Sequence, residues 1–196
     1  MKNIFKNTTL IISLLMIAFS LSLTSCNRGD DDEKDDLPQE ELSDVLLKVT
    51  DEATGTAVTY DYQVNSTSNP NVKLVNGHTY NVEVIFKNGD EDANEEIETA
   101  KDEHFLVYNF PNSDIVMTRT DGAASTRADG KRVGLKTKWV VNTAVKNASA
   151  PSQLVLTLYH EPVSVSEASA VSGNGVVYGV QSGGETDAQA TYNLIN

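Results

Sequence analysis

The chain has 196 residues, a formal net charge of −13 at neutral pH and one cysteine. A chain this negative repels phosphate backbones and anionic lipid head groups, so we expect no nucleic-acid partner. A single cysteine cannot close a disulfide within the chain, and it leaves no second thiol for a cysteine-rich metal site.

The first 25 residues have the pattern of a secretory leader. Lys2 and Lys6 form a short positive segment, and residues 10–23 are an apolar run. A run of about fourteen residues suits a signal peptide and is short for a membrane-spanning helix. We therefore treat residues 1–25 as a lipoprotein signal peptide, whose removal changes the net charge from −13 to −15.

The residues Leu23-Thr24-Ser25-Cys26 follow this run directly, and they resemble the bacterial lipobox. The resemblance implies cleavage before Cys26, a diacylglycerol on its thiol and usually an acyl chain, such as palmitate, on the new amine. Two or three acyl chains make a stable tether, because each buried methylene contributes about 0.8 kcal/mol. We therefore expect Cys26 to be lipidated. The alternative is an incidental cysteine in a secretory leader.

Residues 26–43 have the composition of a disordered acidic stalk. From position 27 to 43 there are eight acidic residues, two basic residues and almost nothing apolar. Such a segment buries too little apolar surface to offset the entropy of ordering it. An acidic run just after an acylated cysteine also resembles the lipoprotein export signal of Bacteroidota. That resemblance implies an outer-membrane lipoprotein facing the cell exterior; one facing the periplasm, with the stalk as a spacer, is the alternative.

Residues 44–196 read as one all-β domain. Apolar and polar residues alternate, as expected of half-buried strands, and Asn-Gly and Asn-Pro turn signals separate the alternating segments. The predicted strands are 45–49, 58–64, 79–86, 103–110, 113–119, 133–141, 153–160 and 186–195. About eight short strands separated by turns predict an antiparallel, Greek-key-like β-sandwich.

One segment breaks the alternation. In residues 91–102, Ala93, Ile97 and Ala100 fall on one helical stripe, and six acidic residues lie elsewhere in the segment. We predict one short helix here, with its carboxylates on a solvated face.

The usual catalytic signatures are absent from the sequence, which contains no nucleophile elbow, His-Glu-x-x-His pair or phosphate-binding loop. The glycines at 173, 175 and 179 have no following helix to form a dinucleotide turn, so we interpret them as a plain connection. We therefore predict that the protein is not an enzyme.

Two of the three histidines stand at the ends of predicted strands. His104 opens one strand and His160 closes another, and each continues an apolar face. In antiparallel strands, the start of one lies beside the end of the next, so both imidazoles are expected at one end of the sandwich. His78 follows a turn and is interpreted as a surface residue.

Acidic residues flank the same strand ends. Glu161 follows His160, and Glu185 and Asp187 open the last strand. Two imidazoles with carboxylate oxygens suit Zn²⁺ or another divalent first-row ion. The sequence therefore predicts a candidate metal site. The alternative is a set of hydrogen bonds that fixes the loops and binds no ion.

Five short stretches carry a family resemblance. They are Glu95-Glu96-Ile97-Glu98 with Glu103-His104-Phe105, Gly134-Leu135-Lys136-Thr137-Lys138-Trp139, Leu158-Tyr159-His160-Glu161-Pro162 and Gly183-Gly184-Glu185-Thr186-Asp187. Together with the length and the acidic stalk, they resemble small Bacteroidota surface lipoproteins. Some of those occur beside genes for TonB-dependent outer-membrane receptors. The resemblance implies a membrane anchor through lipid and an outer-membrane receptor as partner.

Two classes of function stay open. The first is a tethered binding or accessory module that captures a small ligand or metal for an outer-membrane transporter. The second is a structural or adhesin-like envelope domain with no small ligand.

Overall fold

The computed structural model describes residues 42–196. Its strands are β1 (Asp44–Asp51), β2 (Ala57–Gln63), β3 (Asn71–Lys73), β4 (Thr79–Asn88), β5 (Glu91–Asp92), β6 (His104–Phe110), β7 (Asp114–Arg119), β8 (Lys136–Thr143), β9 (Gln153–His160), β10 (Ser164–Ser172), β11 (Gly175–Ser182) and β12 (Glu185–Ile195). Helix α1 spans Asn94–Thr99, and two 3-10 turns span Lys101–Glu103 and Ala123–Ser125. No helix in this described part is long and apolar enough to cross a membrane.

The strands form two sheets. The first has the order β2-β1-β4-β8-β7, with β5 paired to β4, and the second has the order β10-β11-β6-β9-β12-β3. Neighbouring strands are antiparallel, except that β3 runs parallel to β12. The predicted all-β sandwich is therefore confirmed.

The inner faces of both sheets share one core, because apolar residues recur at every second position of the central strands. Trp139 of β8 packs edge-on against Phe110 of β6, with ring centroids 5.2 Å apart. Across the same core, the hydroxyl of Tyr192 donates to the carbonyl of Val45 at 2.6 Å. The two sheets are thus joined by packing and by a buried hydrogen bond.

Several predicted elements differ from the structure. Residues 164–182, where no strand was predicted and where the glycines at 173, 175 and 179 were interpreted as a connection, form the hairpin β10–β11. Strands β3 and β5 were not predicted either. Strand β8 begins at Lys136, three residues later than predicted. Gly134 there adopts φ +104°, and Asp121 accepts the N–H groups of Gly134 and Leu135 at 3.0 and 2.7 Å.

The helix is shorter than the predicted segment. Residues 91–92 pair with β4 as β5, and residues 101–103 form a 3-10 turn, so only Asn94–Thr99 is α-helical. Two residues of the predicted apolar stripe, Ala93 and Ile97, are nevertheless buried in the core.

The described fold starts within the segment predicted as stalk. Leu42 is buried in the core, and the N–H of Ser43 donates to the carbonyl of Lys87 at 2.8 Å. The leader, the lipidation residue Cys26 and the rest of the acidic stalk lie outside the described residues.

Candidate metal site at the histidine pole

Strand register brings the two predicted histidines together. His104 of β6 lies directly opposite His160 of β9, and Glu185 of β12 lies opposite His160 on the other side. The two imidazole rings stack, with centroids 5.1 Å apart and planes within 8° of parallel. We call this end of the second sheet the histidine pole, formed by Glu103, His104, His160, Glu161 and Asp187.

A β-bulge turns Asp187 into the pole. The register of β12 on β9 shifts between Thr186 and Ala188, so Asp187 is an extra residue in the strand. Asp187 and Ala188 are consecutive and both buried, which regular alternation does not allow. Bulges commonly re-aim a side chain in this way beside functional sites.

The carboxylate of Asp187 lies between the two imidazoles. Its Oδ2 is 3.5 Å from Nε2 of His104, and its Oδ1 is 3.7 Å from Nδ1 of His160. These distances are longer than a normal hydrogen bond, although only 2% of the Asp187 and His104 side chains is exposed.

The buried polar atoms here are under-satisfied compared with the rest of the fold. Within the described residues, eight buried side-chain nitrogen or oxygen atoms make no hydrogen bond. Four of these eight belong to His104, His160 and Asp187. Unsatisfied buried groups are costly and call for an explanation such as a bound ion.

His104 is anchored from inside the protein. Its Nδ1 lies 2.9 Å from the carbonyl oxygen of Ala100, which follows α1. A carbonyl only accepts, so Nδ1 carries the hydrogen. The contact between Nε2 and Oδ2 of Asp187 is then attractive only when one more proton lies on one of these two atoms.

A second group of side chains lies on the outer side of His160. One ligand atom from each of Glu103, His160 and Glu161 can be chosen so that all three lie within 4.8 Å of one another. The Oε2 of Glu103 is 3.8 Å from Nε2 of His160. Among residues 42–196, this is the one group of three such side chains so close together.

The backbone at Glu161 is held in an unusual conformation. Its φ is +46°, in the left-handed region that side chains other than Gly and Asn seldom adopt. Its N–H donates to the carbonyl of Glu103 at 2.6 Å. This bond brings residues 103 and 161 together and keeps both carboxylates near His160.

The predicted ligands therefore divide into two sets. His160 and Glu161 belong to the outer group, whereas Asp187 and His104 lie behind it in the buried interior. Glu185 is exposed and does not belong to the group of three. Glu103 was missing from the predicted ligands, although its position directly before His104 was a sequence signal that could have found it.

The stacking of the rings limits what they can bind together. A metal ion lies in the plane of each imidazole that ligates it, and parallel stacked rings have no common in-plane point between them. His104 and His160 therefore cannot hold one ion unless a ring turns. Metal binding itself stays a prediction.

His78 is not part of the histidine pole. Its side chain is 31% exposed and is paired with a carboxylate. Its Nδ1 is 2.7 Å from Oδ2 of Asp51, and its ring stacks on Tyr80. This hydrogen bond lowers the pKa of Asp51 below its ordinary value.

Comparison with known proteins gives no match, either to a protein-family model, to a curated protein or to a solved structure.

Proposed function

We propose that this protein is a lipid-anchored outer-membrane module that binds a divalent transition-metal ion through Glu103, His160 and Glu161. The observation that supports the proposal is the convergence of three potential ligand atoms within 4.8 Å at the histidine pole. The buried Nε2 of His160, which makes no hydrogen bond, supports it independently.

The chemistry of the three side chains suits such an ion. One imidazole nitrogen and two carboxylate oxygens form a mixed donor set of the kind that Zn²⁺ accepts. Ligand atoms around one tetrahedral ion with bonds of about 2.0–2.2 Å lie about 3.3–3.6 Å apart. Because the three atoms lie within 4.8 Å of one another, rotation of the Glu103 and Glu161 side chains to other rotamers has only a short distance to close.

The proposed location rests on the N-terminal sequence. The lipobox-like residues before Cys26 and the acidic run after it support a lipid anchor and display on the cell surface. A tethered domain that holds a metal ion suits an accessory role beside a TonB-dependent transporter, which we propose as its partner.

A structural or adhesin-like role without a ligand is the second candidate. It is favoured by the burial of His104 and Asp187, whose contacts join β6, β9 and β12 at one end of the sheet. On this account, the histidine pole fixes strand ends and Zn²⁺ adds nothing.

Thermal unfolding of the full-length protein in detergent, with and without Zn²⁺, separates the two candidates. Zn²⁺ at 100 times its dissociation constant stabilises the native state by about 2.7 kcal/mol, which raises Tm by about 5–10 °C. We expect Glu103→Gln and His160→Gln each to remove most of that shift. The matched control Glu185→Gln removes an exposed carboxylate nearby and leaves the shift intact. If Zn²⁺ does not change the Tm of the wild-type protein, the result supports the structural role.

A further inference from the structure

We propose that the open corner of the sandwich between β2 and β3 is a binding site for a small organic carboxylate with a compact apolar body. This corner lies at the opposite end of β12 from the histidine pole. Residues 193–195 of β12 pair with β3, whereas Glu185 of β12 lies opposite His160. The inference therefore goes beyond the proposed metal site and does not depend on it.

The inner face of the first sheet is uncovered at this corner. Val58 of β2 lies directly opposite Val49 of β1, and residues opposite each other in an antiparallel pair point to the same face. Val49 is buried in the core, yet Val58 is 45% exposed. The second sheet, whose edge strand β3 has only three residues, leaves Val58 uncovered. An exposed apolar side chain on the core-facing side marks an opening between the sheets.

A cleft of about 330 Å³ occupies this opening. Its apolar walls include Val49, Val58 and Val75, and Tyr60 and Tyr80 also line it. Binding sites for small molecules are typically clefts of about 300–1,000 Å³ with mostly apolar walls and a few polar groups. The cleft lies at the small end of that range, so it suits a compact apolar body.

Two tyrosine hydroxyl groups lie at the free edge of β3. The hydroxyl oxygen of Tyr60 accepts the backbone N–H of Lys73 at 3.3 Å, and that of Tyr80 accepts the N–H of Val75 at 2.8 Å. Each hydroxyl also has one hydrogen to donate, and within residues 42–196 neither hydrogen has an acceptor. The cleft therefore offers two hydrogen-bond donors that the backbone holds in place.

The charged groups of the cleft also favour an anion. Lys73 is exposed, and its ammonium group makes no ion pair or hydrogen bond within the described part of the chain. The carboxylate of Asp51 is already paired, because Oδ1 accepts the N–H of Ala53 at 2.8 Å and Oδ2 accepts Nδ1–H of His78 at 2.7 Å. A ligand cation would compete with His78 for Asp51, whereas a ligand carboxylate finds Lys73 unpaired.

The donors and the apolar walls together define the class of ligand. An ionised carboxylate only accepts hydrogen bonds, and its bonds to an ammonium group are among the strong ones. It therefore matches Lys73 and the hydroxyl groups of Tyr60 and Tyr80. A branched or aromatic body attached to it covers Val58 and Val75, which removes their exposed apolar surface from water.

Three probes with the same apolar body and different charge test the inference. They are hydrocinnamate, its neutral amide hydrocinnamamide and the cation phenylpropylamine. We would follow the valine methyl signals of the full-length protein in a neutral detergent during titration with each probe. We expect hydrocinnamate to shift the signals of Val58 and Val75 with a dissociation constant of about 0.1–3 mM, as for a ligand of this size. The amide and the amine should bind at least about 3-fold more weakly.

Val163, which is 84% exposed beside the histidine pole, provides an internal reference whose signals should not move. Equal binding of the three probes, or signals of Val58 and Val75 that hydrocinnamate does not shift, overturns the inference. Signals of these two valines that change with protein concentration before any probe is added would mean that a second copy fills the cleft. That result also overturns it.

Substitutions of Lys73 separate recognition of the carboxylate from binding to a purely apolar cleft. Lys73→Met removes the charge and keeps the length of the side chain, so we expect the affinity for hydrocinnamate to fall about 3–10-fold. Lys73→Glu should reverse the preference, so that phenylpropylamine binds more tightly than hydrocinnamate. The matched control is Lys131→Met, in the loop that contacts the histidine pole through Arg127, and it should leave the affinity unchanged. An unaltered preference in Lys73→Glu would contradict the proposed site.

Discussion

Arg119 connects the two sheets through buried contacts of its guanidinium. Its guanidinium is buried at the end of β7, donates to the carbonyls of Val133 and Leu106 at 2.7 and 2.5 Å, and lies 4.4 Å from the centroid of the Phe105 ring. Burial lowers the pKa of Arg119. The side chain therefore connects β7, at an edge of the first sheet, with β6 in the middle of the second.

We expect Arg119→Met to destabilise the protein by about 2–4 kcal/mol, because the buried carbonyl of Leu106 loses its donor and the ring loses its cation. Urea unfolding measures the change as a lower midpoint with an unchanged slope. Lys131→Met, which removes a cation from a nearby loop, serves as the control and should shift the midpoint little. Equal midpoints for Arg119→Met and the wild type would show that the contacts of Arg119 contribute nothing to the free energy of unfolding.

Glu161 combines an unfavourable backbone with a place among the proposed ligands. A non-glycine residue in the left-handed region costs about 1 kcal/mol, and such strain often persists where a functional side chain is needed. We expect Glu161→Gly to leave stability equal or raise it by up to about 1 kcal/mol without metal, and to weaken Zn²⁺ binding.

Calorimetric Zn²⁺ titration and urea unfolding of the same variant measure both effects. Glu161→Asn keeps a residue that tolerates positive φ and removes the carboxylate, so it should also bind weakly. Full Zn²⁺ affinity in both variants would remove Glu161 from the proposed site.

At the level of elements, the edge hairpin β10–β11 depends on an ion pair. Glu167 in β10 contacts the guanidinium of Arg132 at 2.6 and 3.1 Å and accepts its backbone N–H at 2.7 Å. Burial opposes ionisation of Glu167, but the bonds from Arg132 outweigh it and hold the pKa of Glu167 below its ordinary value of 4.5.

This lowered pKa sets the direction of the pH dependence. The stabilisation is present above about pH 4.5 and is lost as the pH falls through the lower folded-state pKa, because the unfolded chain takes up the proton first. We therefore expect Glu167→Gln to be less stable than the wild type near neutral pH. The difference should shrink in acid, as followed by urea midpoints from about pH 7 to pH 3. Glu91→Gln, at an exposed position, should show no such trend. A difference that is constant with pH would contradict the ion pair.

The elements also show which parts of the fold could be predicted. Strand β9 has the predicted bounds because its alternation is regular. The hairpin β10–β11 was missed because its residues are exposed or half-buried except Gly179, so neither strand has a clear apolar face. Gly175 lies against the carbonyl of Phe110, where a side chain has no room, so this glycine marks close strand approach and not a loop.

The placement of the two histidines could be predicted from the alternating pattern, but the placement of the acidic residues could not. Strand pairing placed His104 beside His160 as expected, because antiparallel register follows from the alternating pattern. The pattern put Glu185 and Asp187 on one face of β12, whereas the bulge at Asp187 turns only that residue inward. A bulge adds one residue without changing composition, so the alternating pattern of β12 does not indicate it.

For the whole molecule, we propose that a lipid anchor determines its location. We expect the wild-type protein to incorporate a fatty-acid analogue and Cys26→Ala to incorporate none, because the thiol is the proposed acceptor of the diacylglycerol. Metabolic labelling followed by immunoprecipitation measures this. Equal labelling of the two proteins would reject the anchor.

Surface display is a separate proposal from the lipid anchor. We expect protease added to intact cells to degrade the domain, and replacement of the acids at positions 30–33 and 35–36 by Asn to protect it. A wild-type protein that resists protease until the outer membrane is broken would make the stalk a simple spacer.

The central claim is that one histidine and two carboxylates of the histidine pole bind a metal ion. X-ray absorption spectroscopy of the Zn²⁺-loaded full-length protein tests it most directly, because imidazole gives a distinct outer-shell signal. We expect one imidazole per zinc, with the remaining ligands oxygen atoms at about 2.0–2.2 Å. Two imidazoles per zinc, or zinc bound equally by the His160→Gln variant, would contradict the account.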